Sequence, residues 1–272
     1  HKNWHHVLDY AEGIVDGSIT ANKERIQAAE RFLEDLKNPA YEIKHEGPEF
    51  CIGIIEQTLC HQQGEDLKGH PLRGTPFLLE PWEKFIVYNL VGFYLAGTNI
   101  VRFHESLIFI PRKNGKTGFA AALAWALSLW YRRSGSKCYI TSAALMQSLE
   151  AFNFLDYNVD RMGEKQVRGK AGGLVKVIDN NNEHSMTATL SDGSFFIRAL
   201  AANPDAQDSL NCNIAICDEI HAFKQPKQYN LFKEAMKAYT NKLLIGISTA
   251  GDDAQGFLGQ RIKYCRQILD GT

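Results

Sequence analysis

Three short apolar runs, Ser106–Ile110, Asn213–Cys217 and Leu243–Ile247, each break off at polar or small residues, and helical periodicity separates them along the chain. Runs of this kind are strands buried on both faces, and strands alternating with helices build a largely parallel sheet, because a crossover helix returns the chain to the same edge. The pattern predicts helices over 82–96, 116–132, 144–162, 227–239 and 254–269, and strands over 105–110, 137–142, 213–217 and 243–248. The runs 175–178, 186–190 and 195–200 are also β-rich, and Ser191-Asp192-Gly193-Ser194 between the last two is a hairpin turn. An antiparallel excursion therefore interrupts the α/β order. Upstream, helices are expected over 20–37 and 47–60, followed by a polar, Gly- and Pro-bearing stretch from Gln62 to Pro76. The expected organisation is a helical N-terminal arm over 1–66, an α/β core over 67–252 with its boundary near Leu67, and a C-terminal helix over 253–272.

A chain of 272 residues can bury a sizeable core without covalent staples. Its 30 Lys and Arg residues are matched by 31 Asp and Glu, a formal charge of −1, so any nucleic acid has to meet a local basic patch. Arg102 to Lys137 holds such an excess: Arg102, Arg112, Lys113, Lys116, Arg132, Arg133 and Lys137 against Glu105, with part of it serving nucleotide. Six cysteines without a C-x-x-C pair read as packed thiols of a reducing, intracellular compartment. No apolar stretch approaches the ~18 residues of a membrane span, and the N-terminus lacks a signal peptide's apolar region. His1, His5 and His6 are read as a fraying terminus or tag remnant rather than a metal group. Opening on His1 and stopping just after a helical pattern, the chain reads as a piece of a longer protein.

The run Ser106–Ile110 leads straight into Pro111-Arg112-Lys113-Asn114-Gly115-Lys116-Thr117-Gly118 and an Ala-rich helix. A phosphate-binding loop needs this strand–loop–helix context: backbone N–H groups at the helix start surround the anion, Lys116 reaches the β and γ phosphates, and the Thr117 hydroxyl ligates Mg²⁺. Ile110 stands where the general pattern has its first Gly, and Gly-Lys-Thr alone is equally compatible with a charged helix N-terminus. The second strand ends in Asp218-Glu219, where Asp218 can hold the Mg²⁺ shell and Glu219 can polarise the water attacking the γ phosphate. Alone this pair reads as a solvated acidic turn, which leaves the upstream phosphate loop unexplained. The third strand ends in Ser248-Thr249-Ala250, either a γ-phosphate sensor or a plain turn. In Leu79-Glu80-Pro81-Trp82-Glu83, Trp82 offers adenine a stacking face and Glu83 an edge reader, with a core anchor as the alternative for Trp82.

In this order the four segments resemble the ATPase domain of the large subunit of terminase, the DNA-packaging motor of tailed bacteriophages. That family's phosphate loop resembles P-R-x-x-G-K-[ST], with no first Gly, and Asp218-Glu219-Ile220-His221-Ala222-Phe223 is similar to its D-E-x-H-x-[FW] segment. The resemblance spans about residues 75–252. It implies a RecA-like P-loop NTPase fold of the additional-strand, catalytic-Glu type, with a mostly parallel sheet flanked by helices, a helical arm and a β-hairpin insertion. It implies Mg²⁺-dependent ATP hydrolysis that drives double-stranded DNA into a procapsid in the cytoplasm of an infected bacterial host. The implied partners are the portal, the small terminase subunit and further copies in a ring on the portal, the isolated chain being monomeric and free of membranes. Arg112 is expected to contact the γ phosphate or to hold Glu219 in check, and Ser248, Thr249 and Ala250 to couple hydrolysis to motion. Arg198, Arg73, Arg132 and Arg133 are candidates for a trans-acting finger, each also readable as a solvated surface arginine. Only 21 residues follow Gly251, too few for the family's C-terminal RNase H-like nuclease. Two alternatives are a superfamily 2 helicase fragment, which would need a second RecA-like domain, and a nucleotide-gated scaffold that does not hydrolyse ATP, against which Glu219 argues.

Overall fold

The structure, a computed structural model, describes residues 1–203, 210–251 and 253–271; Asp252, at the expected end of the core, and Thr272 lie outside them. Its centre is a seven-stranded sheet of order β3-β9-β8-β4-β7-β6-β5. The strands are β3 (Glu105–Phe109), β4 (Ser136–Ser142), β5 (Val175–Asp179), β6 (His184–Leu190), β7 (Gly193–Ala201), β8 (Ile214–Asp218) and β9 (Leu243–Ser248). The five from β3 to β7 in that order run parallel, and β6 and β5 extend the sheet antiparallel. The excursion expected between 175 and 200 thus belongs to the main sheet, since β7 lies beside β4 as one of its parallel strands.

Burial on both faces is visible within single strands. Ile214 and Ile216 of β8, with Leu243, Ile245 and Ile247 of β9, pack into one apolar cluster, while Ala215, Cys217 and Leu244 pack into a second. This is the two-residue period of a pleat with both sides covered. The first face is covered by α5 (Lys116–Trp130) and α6 (Leu145–Arg161), the second by α7 (Pro226–Ala235) and α8 (Phe257–Leu269). Phe119 to Ser128 of α5 are all buried, which explains the run of alanines: small side chains let this helix lie close to the sheet and to its neighbours.

Four helices precede the sheet: α1 (Trp4–Val15), α2 (Lys23–Asp35), α3 (Glu46–Thr58) and α4 (Pro81–Gly92). Their buried residues, among them Val7, Phe32, Ile52 and Tyr88, belong to the same apolar cluster as α5 and the sheet. Leu67, at the expected boundary, is fully exposed on the intervening loop. α1 is not anticipated by the sequence reading, which assigned its histidines to a fraying terminus. Val7, Tyr10, Ala11 and Ile14 nevertheless form its buried stripe, His5 and His6 are exposed, and the His1 ring stacks on His45 with centroids 4.0 Å apart. No group of three potential metal ligands occurs among the described residues.

The helix expected over 82–96 stops at Gly92, and Phe93–Leu95 form β2, paired antiparallel with β1 (Tyr41–Ile43). Close packing of α3 against α4 sets this end: a Cβ on Gly47 would lie 2.9 Å from the Val91 carbonyl oxygen, and one on Gly92 would lie 3.1 Å from Pro48 Cγ. At the other end of the chain, α8 is tied to α2 by Lys23–Asp270 at 2.8 Å and Arg266–Glu24 at 2.7 Å. No helix among the described residues is long and apolar enough to cross a membrane.

The β6–β7 hairpin closes on Ser191-Asp192 and docks on the short 3₁₀ turn Arg132–Ser134 that follows α5. Arg132 donates to both oxygens of Asp192, at 2.8 and 2.6 Å. Gly193 has φ of 153°, and a Cβ there would lie 2.2 Å from the Arg132 carbonyl oxygen. Gly193→Ala is expected to cost about 3 kcal/mol, because both the conformation and the close approach are lost. Denaturant unfolding checks it; a change under about 0.5 kcal/mol would mean that the hairpin readily leaves the turn.

Candidate active site

Three parallel strands place their C-terminal ends side by side. Phe109 of β3 is opposite Ser248 of β9, and Asp218 of β8 is opposite Ile247. β9, itself carrying the Ser248-Thr249-Ala250 segment, therefore lies between the phosphate-loop strand and the Asp218-Glu219 strand, as the additional-strand expectation requires. The bond from the Ile110 N–H to the Ser248 carbonyl at 3.1 Å holds the start of the loop to the end of β9.

The loop itself is exposed from Pro111 to Gly115 and enters α5 at Lys116. Lys113 and Gly115 both take positive φ, 67° and 70°. A Cβ at Gly115 would meet nothing within 4 Å, so its glycine is called for by conformation rather than space. Alternation of such residues turns successive N–H groups toward one side, the geometry of an anion cradle. Asn114 braces the turn, its side-chain amide donating to the Pro111 and Arg112 carbonyls at 3.2 Å each. Arg112 is exposed, with no ion-pair partner among the described residues. Thr117 and Gly118 are half-buried in the first helical turn.

Lys116 is buried, and its Nζ sits 3.3 Å from Asp218 Oδ1 and in hydrogen-bond contact with Glu219 Oε1. The spacing of 102 residues is thereby closed by direct contact. Burial pushes the Asp218 carboxyl above the usual carboxylate range; Lys116 draws it down and the neighbouring Glu219 charge adds to the rise. Glu219 has the left-handed backbone φ 53°, ψ 46°, a conformation that costs a β-carbon residue on the order of 1 kcal/mol or more. Its N–H is satisfied by Asp218 Oδ1 at 2.8 Å. The turn projects Glu219 off the end of β8, while Asp218 stays in the sheet.

His221, two residues on, stands between Glu219 and β9. Its Nδ1 is 2.9 Å from Glu219 Oε2 and 3.1 Å from Ser248 Oγ. Ser248 and Thr249 are buried and Ala250 is exposed; the Thr249 hydroxyl has no hydrogen-bond partner among the described residues. The sequence names this His only as part of a motif string, with no signal for its partner, because β9 arrives from 27 residues away.

Trp82 is half-buried and packs edge-to-face on Phe119 of α5, centroids 5.5 Å apart, and lines a cleft of ≈ 360 Å³ with His6, Asp9, Tyr10, Ile19 and Pro81. Glu83 is 5% exposed, accepts the Glu80 N–H at 2.8 Å in a capping box at the start of α4, and is pushed up to about 7 by burial. Each finger candidate has surroundings of its own. Arg132 and Arg133 share Asp192, Arg73 lies over the Tyr157 ring at 5.1 Å, and Arg198 is half-buried in β7 beside Tyr139 of β4. None of these contacts includes Lys116, Asp218 or Glu219. The basic excess between 102 and 137 is likewise largely engaged: Arg102 pairs with Asp35, Lys116 with the acidic pair, and Arg132 and Arg133 with Asp192.

Known proteins share this fold. The large terminase of bacteriophage HK97 superposes with a TM-score of 0.61 at 22% identity, over 82% of this chain and 42% of that one, a likeness of fold. The large terminase of a thermophilic bacteriophage gives 0.46 at 8% identity over 64% and 40%, and the ATPase domain of the Thermus phage P74-26 large terminase gives 0.42 at 14% over 57% and 64%. The chain therefore spans less than half of the HK97 protein's length. No curated protein matches it. The family described as terminase large subunit, ATPase domain, matches residues 81–267, more than half of the chain and every motif from Trp82 to Ala250, and the protein belongs to that family.

Proposed function

We propose that this chain hydrolyses ATP in a DNA-packaging motor, as the ATPase part of a terminase large subunit. The observation that carries this reading is the meeting of Lys116 with Asp218 and Glu219 at adjoining strand ends, inside the region matched to the family. Lys116 neutralises the two carboxylates. Nucleotide phosphates compete for that ammonium, with the loop's N–H groups as further donors. Once Lys116 moves to phosphate, the Glu219 carboxylate is left free to accept a proton from water as its oxygen attacks the γ phosphorus and ADP departs.

The residues fit Mg²⁺ of the kind that arrives with nucleotide. Thr117 and Asp218 offer two hard oxygen donors, suited to an ion that takes the rest of its shell from phosphates and water. When bound, it supplies positive charge to the β and γ oxygens. The cleft beside Trp82 supports the adenine assignment, with Trp82 and Tyr10 as stacking faces. With its carboxyl raised to about 7, Glu83 offers a donor and an acceptor near neutral pH, the same pair a glutamine amide presents. Double-stranded DNA, the portal and the small terminase subunit are the partners this reading carries, with assembly as a ring on the portal.

Phosphate release from the purified chain tests the proposal: ATP-dependent release that stops on removal of Mg²⁺ is expected, and none with or without double-stranded DNA would overturn it. Arg112, exposed at the loop, is free to bridge γ-phosphate oxygens with its planar fork. Arg112→Lys keeps the charge and loses the fork, so turnover is expected to fall ~10-fold or more, equivalent to ~1.4 kcal/mol, beyond any loss of binding. Unchanged steady-state turnover would leave Arg112 an ordinary solvated charge.

A further inference from the structure

We infer that His221 is a positioning residue, the one through which the state of Glu219 is passed to the Ser248-Thr249-Ala250 segment. Its Nδ1 lies within 3.1 Å of two oxygens from different segments: Ser248 Oγ at the end of β9, and Glu219 Oε2, just past the end of β8, at 2.9 Å. Ser248 Oγ spends its own proton on the Thr249 carbonyl at 3.0 Å and accepts the His221 backbone N–H at 3.2 Å. It therefore needs Nδ1 as a donor. One N–H cannot serve Ser248 and Glu219 at full strength together. While Lys116 holds Glu219 Oε1, Oε2 is buried with no hydrogen-bond partner among the described residues, and the ring's hydrogen bond goes to Ser248. Removal of Lys116 to phosphate raises the demand of that carboxylate, and Nδ1–H is the donor at hand. The hydrogen then shifts from Ser248 to Glu219, orienting the carboxylate and loosening the end of β9.

The surroundings make the ring a fixed strut. Glu219 enters in a left-handed conformation, Ile220–Ala222 form a 3₁₀ turn, and the Ile220 side chain lies where a Cβ on Gly246 of β9 would be 3.2 Å away. On the far side the chain after Ala250 passes so closely that a Cβ on Gly251 would lie 2.8 Å from His221 Cβ. The segment thus wraps His221, and a change in the ring's hydrogen bond is felt on β9 and on the chain that follows Ala250.

This inference rests on the ATPase reading, and its test separates the two. His221→Ala is expected to lower kcat ~10- to 100-fold while KM for ATP stays within ~3-fold, since the ring touches the activating carboxylate and not the nucleotide. His221→Asn, whose side-chain NH₂ occupies the place of Nδ1, should return kcat to within ~3-fold of the unaltered chain. Ser248→Ala added to His221→Ala should lower kcat by no more than about 2-fold further, because both act along one path. An Asn variant as impaired as the Ala variant, effects that multiply, or an unchanged kcat would each overturn the inference. A readout independent of turnover is the His221 ring ¹⁵N resonance in the nucleotide-free chain: Glu219→Gln and Ser248→Ala should each shift it, and insensitivity to Glu219→Gln would overturn the link. Absence of ATP hydrolysis by the unaltered chain would overturn the ATPase reading alone, and the resonance would still decide the link.

Discussion

Glu219→Ala is expected to bind ATP as well as or better than the unaltered chain while turning it over ~10²-fold or more slowly. Binding survives because the loop amides, Lys116, Thr117 and Asp218 are all retained. It should strengthen somewhat, because Lys116 loses its Glu219 partner and is left with Asp218 alone at 3.3 Å, so the ammonium is more readily given to phosphate. Turnover collapses because the water loses its proton acceptor, and the neighbouring carboxylate is not placed to replace it: Asp218 remains within β8, buried and facing Lys116. Fluorescent-nucleotide titration and phosphate-release kinetics on the same preparation provide the check. A variant that fails to bind, or one that hydrolyses at an undiminished rate, would remove Glu219 from its assigned role.

Lys116→Ala is expected to fail in the opposite order, losing nucleotide affinity by ~10²-fold, the effect of about 2.7 kcal/mol from one charged contact to phosphate. It should also lose stability, by about 3 kcal/mol, since Asp218 and Glu219 keep their mutual repulsion without the buried cation between them. The sign of the pH dependence follows from Asp218. Its carboxyl is raised in the folded chain, so its contribution is most favourable below the unfolded value of 3.8 and is lost as pH rises through the folded one. Without Lys116 the rise is larger, so the stability deficit of the variant should shrink as pH is lowered from 8 towards 5. Thermal melts of the nucleotide-free, metal-free proteins measure this. A deficit that does not vary with pH would show that Lys116 does not neutralise Asp218.

The two variants differ because the Lys116 ammonium and the Glu219 carboxylate share one contact but not one task. On the proposed reading, Lys116 is the group that ATP competes for, and Glu219 is the group that competition releases. Their contact is one that no spacing rule contains, as it requires β3 and β8 to end on the same edge with β9 between them.

Much of this protein is legible in its residues taken in order. The apolar runs at 106–110, 213–217 and 243–247 are strands, and the abrupt change at Pro111, Asp218 and Ser248 marks each strand's end to within two residues. Local chemistry settles these points: strand interiors demand apolar side chains on both faces, and a phosphate loop demands its Gly, Lys and Thr within one helical turn. The family, too, was within reach of the sequence, because its motifs are short and contiguous.

What the sequence left undecided depends on residues distant along the chain. The helix α1 was hidden by histidines that face outward, and its stripe of Val7, Tyr10, Ala11 and Ile14 acquires meaning only once α2 and α4 are there to cover it. The end of α4 at Gly92 is set by Pro48 of α3, and Phe93–Leu95 become strand because Tyr41–Ile43 supply the hydrogen bonds. Arg132 looked available as a surface charge until the hairpin brought Asp192 to it. The sequence by itself determined the kinds of elements and the family, since these follow from side-chain chemistry within a few residues. Only the tertiary structure decided the partners: Lys116 on Glu219, and His221 between Glu219 and Ser248. Such contacts are fixed by strand order and register, which are collective consequences of burying both faces of one sheet.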